Sequence, residues 1–535
     1  MTNVTRRELI EAGLGAASLA ALSMIATGDG RAAPDPAKAR TAEKGLGRIS
    51  RINDIPTMFV DGAPFLIEGA QCDVWRSTRQ DQKVIDFFDA YQRMNATAVG
   101  VDILWSKIEV AEGQYDFAFL DWFMKQAEQR GLKLVLQLFS SNVCGKIQEG
   151  SAESPYPVYV PDYIKNAPDK YQRMLLETAD IYATAGPPMC PNDPRTVERE
   201  RLYVIRLARY LKERDLRRTV ILAQVNNEYG YWAWKGKGVD NTAVRCQCSY
   251  CTAKWNAGFA GTPYEFMITS FADHARTMSD AITAEYPLPL YLNSPLYWPA
   301  TTRIFLDRCP NIAVMGMDGV DDPHEPNALA KGLVGRNIPF AAECPTEHPR
   351  TRFYLDALPY YTTIGEMGLG HLLWESGPPN TVVDDADAST RYGRALYPIK
   401  NAMRPIARFR GTSQLSGWYA LKEFSTGKPK DVFVREGGQT RTLALEPHVF
   451  DVRIGDAIFS VVDGGAGIVI APSPGELIIA TPAAQLQLRG VTVKSAETGR
   501  FAGDTWTPKA PFAFTQEKGA AEFKIDEPSV IRLRV

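Results

Sequence analysis

Three glutamates of this sequence could do chemistry, because each stands at or near the polar end of an apolar run. They are Glu228 in "VILAQVNNE", Glu343 in "PFAAECP" and Glu375 in "GLGHLLWES". Two carboxyl groups that face one another can divide a reaction, since one can donate a proton while the other stays ionised and attacks. A lone glutamate in such a place is more often a capping or salt-bridging residue, so its neighbours decide between the interpretations.

The neighbours of Glu228 favour a site that binds a sugar. Asn227 precedes it, and an amide side chain can hydrogen-bond to a hydroxyl group beside a reacting carbon. Four aromatic residues follow closely: Tyr229, Tyr231, Trp232 and Trp234. Their rings could serve packing alone, but an acid among amide and ring side chains is typical of a ligand site with stacking faces.

Such side chains need elements that bring distant parts of the chain together, and the apolar runs supply them. Each run is nearly continuous, as expected of parallel strands that are covered on both faces. Amphipathic helical patterns, such as "RTVERERLYVIRLARYLKERD", alternate with the runs. The predicted strands are residues 65–72, 96–105, 132–139, 220–228, 288–295, 312–319, 339–345 and 368–376. Eight alternations predict a (β/α)8 TIM barrel; a doubly wound open sheet is disfavoured because no glycine-rich phosphate loop follows the first strand.

In a barrel of this kind the carboxyl ends of all eight strands meet at one face, where active sites lie. On this count Glu228 ends the fourth strand, Glu343 the seventh and Glu375 the eighth. Two carboxyl groups that converge there suit hydrolysis of a glycosidic bond. A separation of about 5 to 5.5 Å favours retention of configuration, and a wider one favours inversion.

Beyond residue 405 the pattern changes to short alternating runs separated by turn residues, as in "DVFVRE" and "GIVIAPSPGELIIATP". Helical spacing is absent there, which predicts an all-β sandwich. The predicted organisation is therefore a linker at 34–48, a catalytic barrel at 49–405 and a C-terminal accessory domain at 406–535.

The first 33 residues are predicted to be a targeting segment. Arg6 and Arg7 precede "LGAASLAALSMIA", which is too short and too rich in alanine to span a membrane comfortably. Paired arginines before a weakly apolar run resemble a bacterial twin-arginine-type signal. This predicts a periplasmic or secreted protein, and the alternative is an unordered basic N-terminus.

Composition excludes several classes of partner. With 60 basic and 62 acidic residues the formal net charge is -2, so there is no electrostatic reason to expect nucleic acid or an anionic membrane. Only 5 histidines are present, which counts against a metallohydrolase site built from histidine. The oligomeric state, including a homo-oligomer, is left open.

Two stretches resemble known enzymes. "QVNNEYG" (224–230) resembles the acid/base motif of the β-galactosidases in glycoside hydrolase families 42 and 35, which are (β/α)8 enzymes. "SKIEVAEGQYDFAFLDWF" (106–123) is similar to the stretch that follows their second strand. The resemblance implies that Glu228 is the general acid/base and that Glu343, on the seventh strand, is the nucleophile.

The resemblance also implies a sugar subsite with Trp374 as its floor, while Asn227 orients the sugar. Further substrate-binding candidates stand near predicted strand ends: Glu375, Trp298, Asn293 and Trp105. Trp75 and Asp102 are additional candidates of the same kind. Glu375 is also the rival nucleophile, because an error of one strand in the count would move "LLWES" to the seventh position.

Three of the eight cysteines crowd into "CQCSYC": Cys246, Cys248 and Cys251. Thiolates at this spacing pair poorly with one another but can bind one tetrahedral metal ion, although an exported protein could also form a disulfide. The resemblance to family 42 assigns Cys190 as the fourth ligand, with Cys144 as the alternative. We therefore expect a structural zinc and no catalytic cofactor. The other cysteines are predicted to be small core residues: Cys72, Cys309 and Cys344.

These observations predict a retaining β-glycosidase of the β-galactosidase type that acts on an oligosaccharide or glycoside. The alternatives are a retaining glycosidase for another sugar, a barrel that binds carbohydrate without catalysis, and a metal-dependent hydrolase. The single C-terminal β domain departs from the larger multi-domain tail of family 42, which leaves the sugar open.

Overall fold

The structure is a computed structural model. The residues that it describes are 46–72, 82–141, 159–175, 188–227, 229, 245–294, 299–312, 314–318, 338–344, 365–368, 386–420, 431–436, 439–444 and 450–535. The predicted signal segment and most of the predicted linker lie outside these residues. No helix within the described ranges is long and apolar enough to cross a membrane.

Ten helices lie in the described ranges. They are α1 (Gln82–Arg93), α2 (Trp105–Ile108), α3 (Ala118–Arg130), α4 (Asp162–Lys165), α5 (Pro194–Arg214), α6 (Ser249–Asn256), α7 (Pro263–Glu285), α8 (Pro299–Arg308), α9 (Ala386–Asn401) and α10 (Met403–Phe409). The two long helical patterns of the sequence are α5 and α7. Proline in the first turn and a polar capping residue, Asp193 for α5 and Thr262 for α7, set where each begins.

The strands of the N-terminal part are β1 (Arg48–Ile52), β2 (Ile55–Val60), β3 (Ala63–Phe65), β4 (Ile67–Cys72), β5 (Ala98–Leu104), β6 (Glu109–Ala111), β7 (Gln114–Tyr115), β8 (Lys133–Phe139), β9 (Val220–Gln224), β10 (Leu290–Ser294), β11 (Val314–Asp318), β12 (Ile338–Cys344) and β13 (Gly365–Gly368). Those of the C-terminal part are β14 (Leu415–Ala420), β15 (Asp431–Glu436), β16 (Gln439–Ala444), β17 (Phe450–Ile454), β18 (Ala457–Ser473), β19 (Glu476–Arg489), β20 (Ser495–Ala502), β21 (Thr505–Pro511), β22 (Thr515–Glu517), β23 (Ala520–Ile525) and β24 (Ser529–Arg534).

Eight parallel strands close into a barrel in the order β4, β5, β8, β9, β10, β11, β12, β13, with β13 paired back to β4. The predicted TIM barrel is therefore confirmed. The close approach of β4 and β5 restricts the residue type at position 69. A Cβ atom at Gly69 of β4 would lie 1.9 Å from the Ala98 carbonyl oxygen of β5. Only glycine allows the two strands to pair at that point.

A three-stranded antiparallel sheet, β1–β3, packs against the amino ends of the barrel strands. Met58 and Val60 of β2 are buried in one cluster with early residues of the barrel strands. That cluster also contains Ile67, Ala98, Val135, Ile221, Leu222, Tyr291 and Val314. The end of the barrel opposite the expected active site is thus filled by apolar side chains.

The C-terminal part is an antiparallel sheet of 11 strands, which confirms the predicted all-β domain. The long strands β18 and β19 each pair with different partners along their two halves, and β18 shifts register between residues 461 and 468. The sheet therefore folds over a core that contains Trp418, Phe459 and Leu486. Helices α9 and α10 pack on this sheet through a second cluster that includes Ile406 and Ile478.

Two predicted boundaries differ from the structure. The described eighth strand is Gly365–Gly368, which overlaps the predicted run 368–376 at one residue only, so that boundary was wrong. The predicted domain boundary at 405 falls inside α10, and the first strand of the β domain begins at Leu415. Helix α10 spans the predicted boundary and ends at Phe409, and residues 410–414 lead from it to the first strand of the β domain.

We expect replacement of Met58 by alanine to show that β1–β3 belong to the barrel core. Met58 has no exposed surface, so the change should leave a cavity and lower the free energy of unfolding by about 2 to 5 kcal/mol. The matched control is Leu216→Ala, since Leu216 is 78% exposed and should change stability by less than about 0.5 kcal/mol. Urea unfolding followed by tryptophan fluorescence measures both, and equal effects would contradict a shared core.

Candidate active site

The interior of the barrel changes from apolar to polar towards the carboxyl ends of its strands. Asp102 of β5, Gln137 of β8 and Gln224 of β9 are partners in register across three neighbouring strands. Period-two alternation places them on the face that carries Ala98 and Val135 lower in the barrel. All three polar side chains are at most 3% exposed, and polar groups so deeply buried need partners or a ligand.

Gln224 organises the polar side chains around it. Its amide oxygen accepts a hydrogen bond from the Tyr291 hydroxyl group (3.1 Å), and its Nε2 donates to the Asn227 side-chain oxygen (2.9 Å) and to the Asn226 carbonyl oxygen (2.9 Å). Asn227 is 6% exposed. Because its Oδ1 accepts from Gln224, its Nδ2 group is the end that can donate to a ligand.

One further polar residue, Asn293, and one already named, Gln137, are also buried here. Asn293, a substrate-binding candidate from the sequence, is the penultimate residue of β10 and has no exposed surface. The side-chain oxygen of Gln137 has no hydrogen-bond partner among the described residues. A buried acceptor of this kind can be satisfied by a hydroxyl group of a ligand.

A buried carboxylate lies behind the end of β9. Glu200 of α5 has no exposed surface, and its Oε1 accepts from the Ser140 hydroxyl group and from Asn226 Nδ2 (3.1 Å). Its Oε2 is 3.0 Å from His274 Nε2 of α7. On the other side of the ring, His274 Nδ1 is 2.7 Å from the Tyr229 hydroxyl oxygen.

The charge of Glu200 is stabilised by this arrangement. Burial alone would raise the pKa of its carboxyl group, but the charge of His274 and the hydrogen bonds from His274, Ser140 and Ser141 outweigh burial and hold the pKa below its usual value. Burial, followed by the charge of Glu200, raises the pKa of the Tyr229 hydroxyl group well above its usual value. Glu200 is therefore ionised and Tyr229 neutral at physiological pH.

The ring of Tyr229 is a packing element. Its exposed fraction is 2%, and its centroid lies 5.7 Å from the rings of Phe271, His274 and Phe305. The expectation that Tyr229 offers a stacking face to a sugar is wrong, because α7 and α8 cover that face. The remaining aromatic residues of this loop lie outside the described residues.

Trp105 likewise is not a sugar platform in this structure. It has no exposed surface, its ring stacks on Tyr203 at 5.6 Å, and its Nε1 donates to Glu109 Oε2 (2.7 Å). Glu109 also accepts from the Gly113 amide (2.8 Å) and pairs with Arg199 of α5. The stretch 106–123 is thus a helix, a small hairpin and a second helix held by one buried carboxylate, and Trp105 belongs to its packing.

Four cysteines form a buried cluster beside this region. The sulfur atoms of Cys190, Cys246, Cys248 and Cys251 all lie within 4.8 Å of one another, and Cys190 Sγ is 3.4 Å from both Cys248 Sγ and Cys251 Sγ. These separations are far longer than a disulfide bond of about 2.05 Å. They are closer to the edge of about 3.8 Å expected between thiolates around a tetrahedral zinc ion with Zn–S distances near 2.3 Å.

Donors around the cluster suit thiolates. The Leu175 amide donates to Cys246 Sγ (3.3 Å), and Asn192 Nδ2 donates to Cys251 Sγ (3.2 Å). The donor set therefore fits a closed four-sulfur metal site, while Cys72 and Cys309 are buried apart from it, as expected of core residues.

Of the two glutamates predicted to be catalytic, the structure describes only Glu343. Glu343 lies near the end of β12, the seventh barrel strand, with Asp318 of β11 as its register partner. This confirms the strand count on which its assignment rests. The other predicted site residues outside the described ranges are Glu228, Trp374, Glu375, Trp298, Trp75 and Cys144, and their roles stay predictions.

Sequence reasoning missed Glu200, His274 and Gln224. A signal for the first two was present, because both fall on the buried stripe of an amphipathic helix: Glu200 with Thr196 and Tyr203, and His274 with Phe271 and Met278. A charged or titratable residue on such a stripe requires a partner. A signal for Gln224 was also present, because it is a polar residue in the otherwise apolar run of β9.

The comparisons with known proteins are consistent with this fold. Residues 73–144 match the family model of glycoside hydrolase family 42, described as β-galactosidase. The matched stretch contains the segment 106–123 that resembles family 42 in sequence, whereas "QVNNEYG" lies outside it. No curated protein matches the chain by sequence.

Among solved structures, a β-galactosidase from Bacillus circulans sp. alkalophilus is similar at 10% identity and a TM-score of 0.44, over 88% of this chain and 99% of that one. A family 30 endoxylanase from Clostridium papyrosolvens C71 is similar at 9% identity and a TM-score of 0.46, over 88% and 97%. An exo-β-1,4-mannosidase from Opitutaceae bacterium strain TAV5 is similar at 16% identity and a TM-score of 0.36, over 57% of this chain and 52% of that one. The chain thus spans about half the length of that mannosidase, and likeness at these TM-scores carries no argument about activity.

The eight strands close into a barrel, the polar residues gather at the carboxyl ends of the strands, and residues 73–144 match the family 42 model. The resemblance inferred from the sequence motifs is thereby confirmed, and the chain has a TIM-barrel fold with a stretch similar to the β-galactosidases of glycoside hydrolase family 42.

Proposed function

We propose that the protein is a retaining β-galactosidase, with Glu228 as the general acid/base and Glu343 as the nucleophile. The observation that carries the proposal is the position of the two glutamates relative to the barrel. Glu343 stands near the carboxyl end of the seventh strand, and Glu228 follows the fourth strand by four residues. Carboxyl ends of strands from different parts of a barrel meet at one face, where such a pair can act on one bond.

The buried polar groups support a sugar as the ligand. The Nδ2 group of Asn227, oriented by Gln224, is a donor for a hydroxyl group next to the reacting carbon. Gln137 offers an acceptor to a further hydroxyl group. Hydrogen bonds to sugar hydroxyl groups that strengthen in the transition state contribute several kcal/mol to glycoside hydrolysis.

The reaction has two steps. In the first step Glu343 attacks the anomeric carbon and Glu228 donates its proton to the departing oxygen, which forms a covalent glycosyl-enzyme. In the second step Glu228, now ionised, takes a proton from water, and the water oxygen displaces Glu343. Each displacement inverts the anomeric carbon, so the product keeps the β configuration.

We expect Glu228→Ala and Glu343→Ala to lower kcat/KM for phenyl β-galactoside by at least about 100-fold, because each removes a group that acts in the transition state. Azide distinguishes the roles when the substrate is 2,4-dinitrophenyl β-galactoside, whose leaving group needs no proton from the acid. It should raise kcat of Glu228→Ala with a β-galactosyl azide product, and restore activity to Glu343→Ala with an α-galactosyl azide product. NMR of the products gives the anomeric configuration.

The matched control is Glu375→Ala, which should lower kcat/KM without an azide product of inverted configuration. If Glu375→Ala forms the α-azide and Glu343→Ala does not, the nucleophile is Glu375. If the wild-type protein hydrolyses other aryl β-glycosides and not the galactoside, the sugar assignment is wrong. If it binds galactosides without turning over any of a panel of aryl glycosides, the protein is a carbohydrate-binding barrel.

We also propose that the cysteine cluster holds a structural zinc ion. The four sulfur atoms lie within 4.8 Å of one another and are buried, which fits a closed site without an open position for chemistry. The ion would tie the segment before α5, through Cys190, to the start of α6, through Cys248 and Cys251. Loading in the cytoplasm, where thiols stay reduced, would suit export of the folded chain through a twin-arginine-type route.

We expect purified wild-type protein to contain one zinc per chain and Cys248→Ala to contain none, with a lower thermal unfolding midpoint, because metal binding contributes directly to folding. Elemental analysis and calorimetry measure the two quantities. Cys309→Ala is the matched control, since Cys309 is equally buried outside the cluster and should leave the zinc content unchanged. Zinc bound equally to Cys248→Ala, or a mass that reveals disulfides in the wild-type protein, would contradict the proposal.

A further inference from the structure

A chain of buried hydrogen bonds joins four elements next to the fourth strand. It runs from the Tyr229 hydroxyl group to His274 on α7, then to Glu200 on α5, and from there to Ser140 after β8 and Asn226 after β9. Each of these five side chains is at most 3% exposed. Hydrogen bonds between buried groups are strong. Removing one partner leaves the other as a buried polar group without a hydrogen bond, which costs free energy.

Both flanks of Glu228 are tied to this chain of bonds. On the N-terminal side, Asn226 donates to Oε1 of Glu200, and its own side-chain oxygen accepts from the Asn227 amide (2.9 Å). On the C-terminal side, Tyr229 reaches Oε2 of the same carboxylate through His274. One buried carboxylate thus fixes the residues on either side of the proposed acid/base, which lie three positions apart in the sequence.

The tautomer of His274 follows from its partners. In either protonation state Nε2 carries the hydrogen that it donates to the ionised Glu200. Nδ1 is then the atom that meets the Tyr229 hydroxyl group. The phenol ring is meanwhile enclosed by Phe271 and Phe305, so the hydroxyl oxygen is held beside His274.

We propose that Glu200, His274 and Tyr229 are positioning residues for the general acid/base, an inference that rests on the proposed function of Glu228. A proton donor must be within hydrogen-bond reach of the departing oxygen, and a displacement of about 1 Å can cost about 100-fold in rate. The buried carboxylate holds Asn226 and, through His274, Tyr229, the described residues that flank Glu228 in the sequence.

Two substrates that differ only in their leaving group can show whether these residues position the acid or only stabilise the fold. Departure of phenolate, a poor leaving group, needs a proton from the acid, whereas departure of 2,4-dinitrophenolate does not. A misplaced acid therefore slows hydrolysis of phenyl β-galactoside much more than that of 2,4-dinitrophenyl β-galactoside. Loss of folded protein, or distortion of the sugar subsite, slows both alike.

The test compares kcat/KM of these two substrates for wild-type protein, Tyr229→Phe and His274→Gln. Tyr229→Phe keeps the buried ring and removes only the hydroxyl group. We expect kcat/KM to fall about tenfold to 100-fold for the phenyl substrate and less than about threefold for the dinitrophenyl substrate. Thermal unfolding midpoints of all proteins are measured alongside; if His274→Gln does not fold, Tyr229→Phe decides the result.

The matched control is Tyr203→Phe. Tyr203 is a fully buried tyrosine on α5, three residues after Glu200, and its hydroxyl group has no hydrogen-bond partner among the described residues. The Tyr203→Phe substitution should leave the ratio of the kcat/KM values for the two substrates unchanged. A ratio that stays at the wild-type value in Tyr229→Phe, whether both rates fall or neither does, overturns the positioning role.

Glu228→Ala serves as the reference for loss of the acid itself. If it shows the leaving-group effect and Tyr229→Phe does not, the positioning role fails and the proposed function stands. If Glu228→Ala hydrolyses the phenyl substrate as fast as wild type, the proposed function fails, and the positioning role fails with it.

Discussion

A carboxylate that is buried without water must be surrounded by hydrogen-bond donors, and the region around the fourth strand is arranged to meet this requirement for Glu200. Its two oxygen atoms face Ser140, Asn226 and His274. These partners come from the end of β8, the end of β9 and the helix α7, so the carboxylate joins elements far apart in the sequence. An ionised group left unpaired there would cost several kcal/mol, which makes the arrangement close to obligatory once the helix is packed.

The difference between apolar and polar burial also distinguishes the two ends of the barrel. At the amino ends, the sheet β1–β3 fills the interior with apolar side chains such as Met58 and Val60. Towards the carboxyl ends, Asp102, Gln137 and Gln224 take the inward positions in register. An apolar base stabilises the fold by excluding water, and a polar mouth can bind a hydroxylated ligand, so the two tasks are separated along the strands.

Helix α5, which precedes the fourth strand in the chain, has buried polar contacts at two places. One is the set of hydrogen bonds around Glu200, which holds Asn226 and Tyr229. The other is the cysteine cluster, in which Cys190 precedes α5 and Cys248 caps α6. Helix α5 leads from the cysteine cluster past Glu200 into β9, so displacement at either place would be transmitted along one rigid element.

Much of this architecture could be predicted from residue patterns. Continuous apolar runs and amphipathic helices are local properties, and they correctly indicated an eight-stranded barrel, the position of Glu343 on its seventh strand and the β domain. The eighth strand was misplaced because "GEMG" at 365–368 is less apolar than "HLLWE" just after it. Strand limits depend on pairing with β12 and β4, and pairing partners are not visible in a single stretch of sequence.

The sequence by itself determined which residue types could act, because the order of apolar and polar residues sets the elements and their ends. Asn227, Glu228 and Glu343 stood out for that reason, as did the spacing of Cys246, Cys248 and Cys251. Only the tertiary structure decided which side chains meet. It buried Tyr229 and Trp105 that the sequence offered as sugar platforms, and it brought Glu200 and His274, 74 residues apart, within 3.0 Å. Burial and pairing depend on packing between distant elements, and packing is a property of the whole fold.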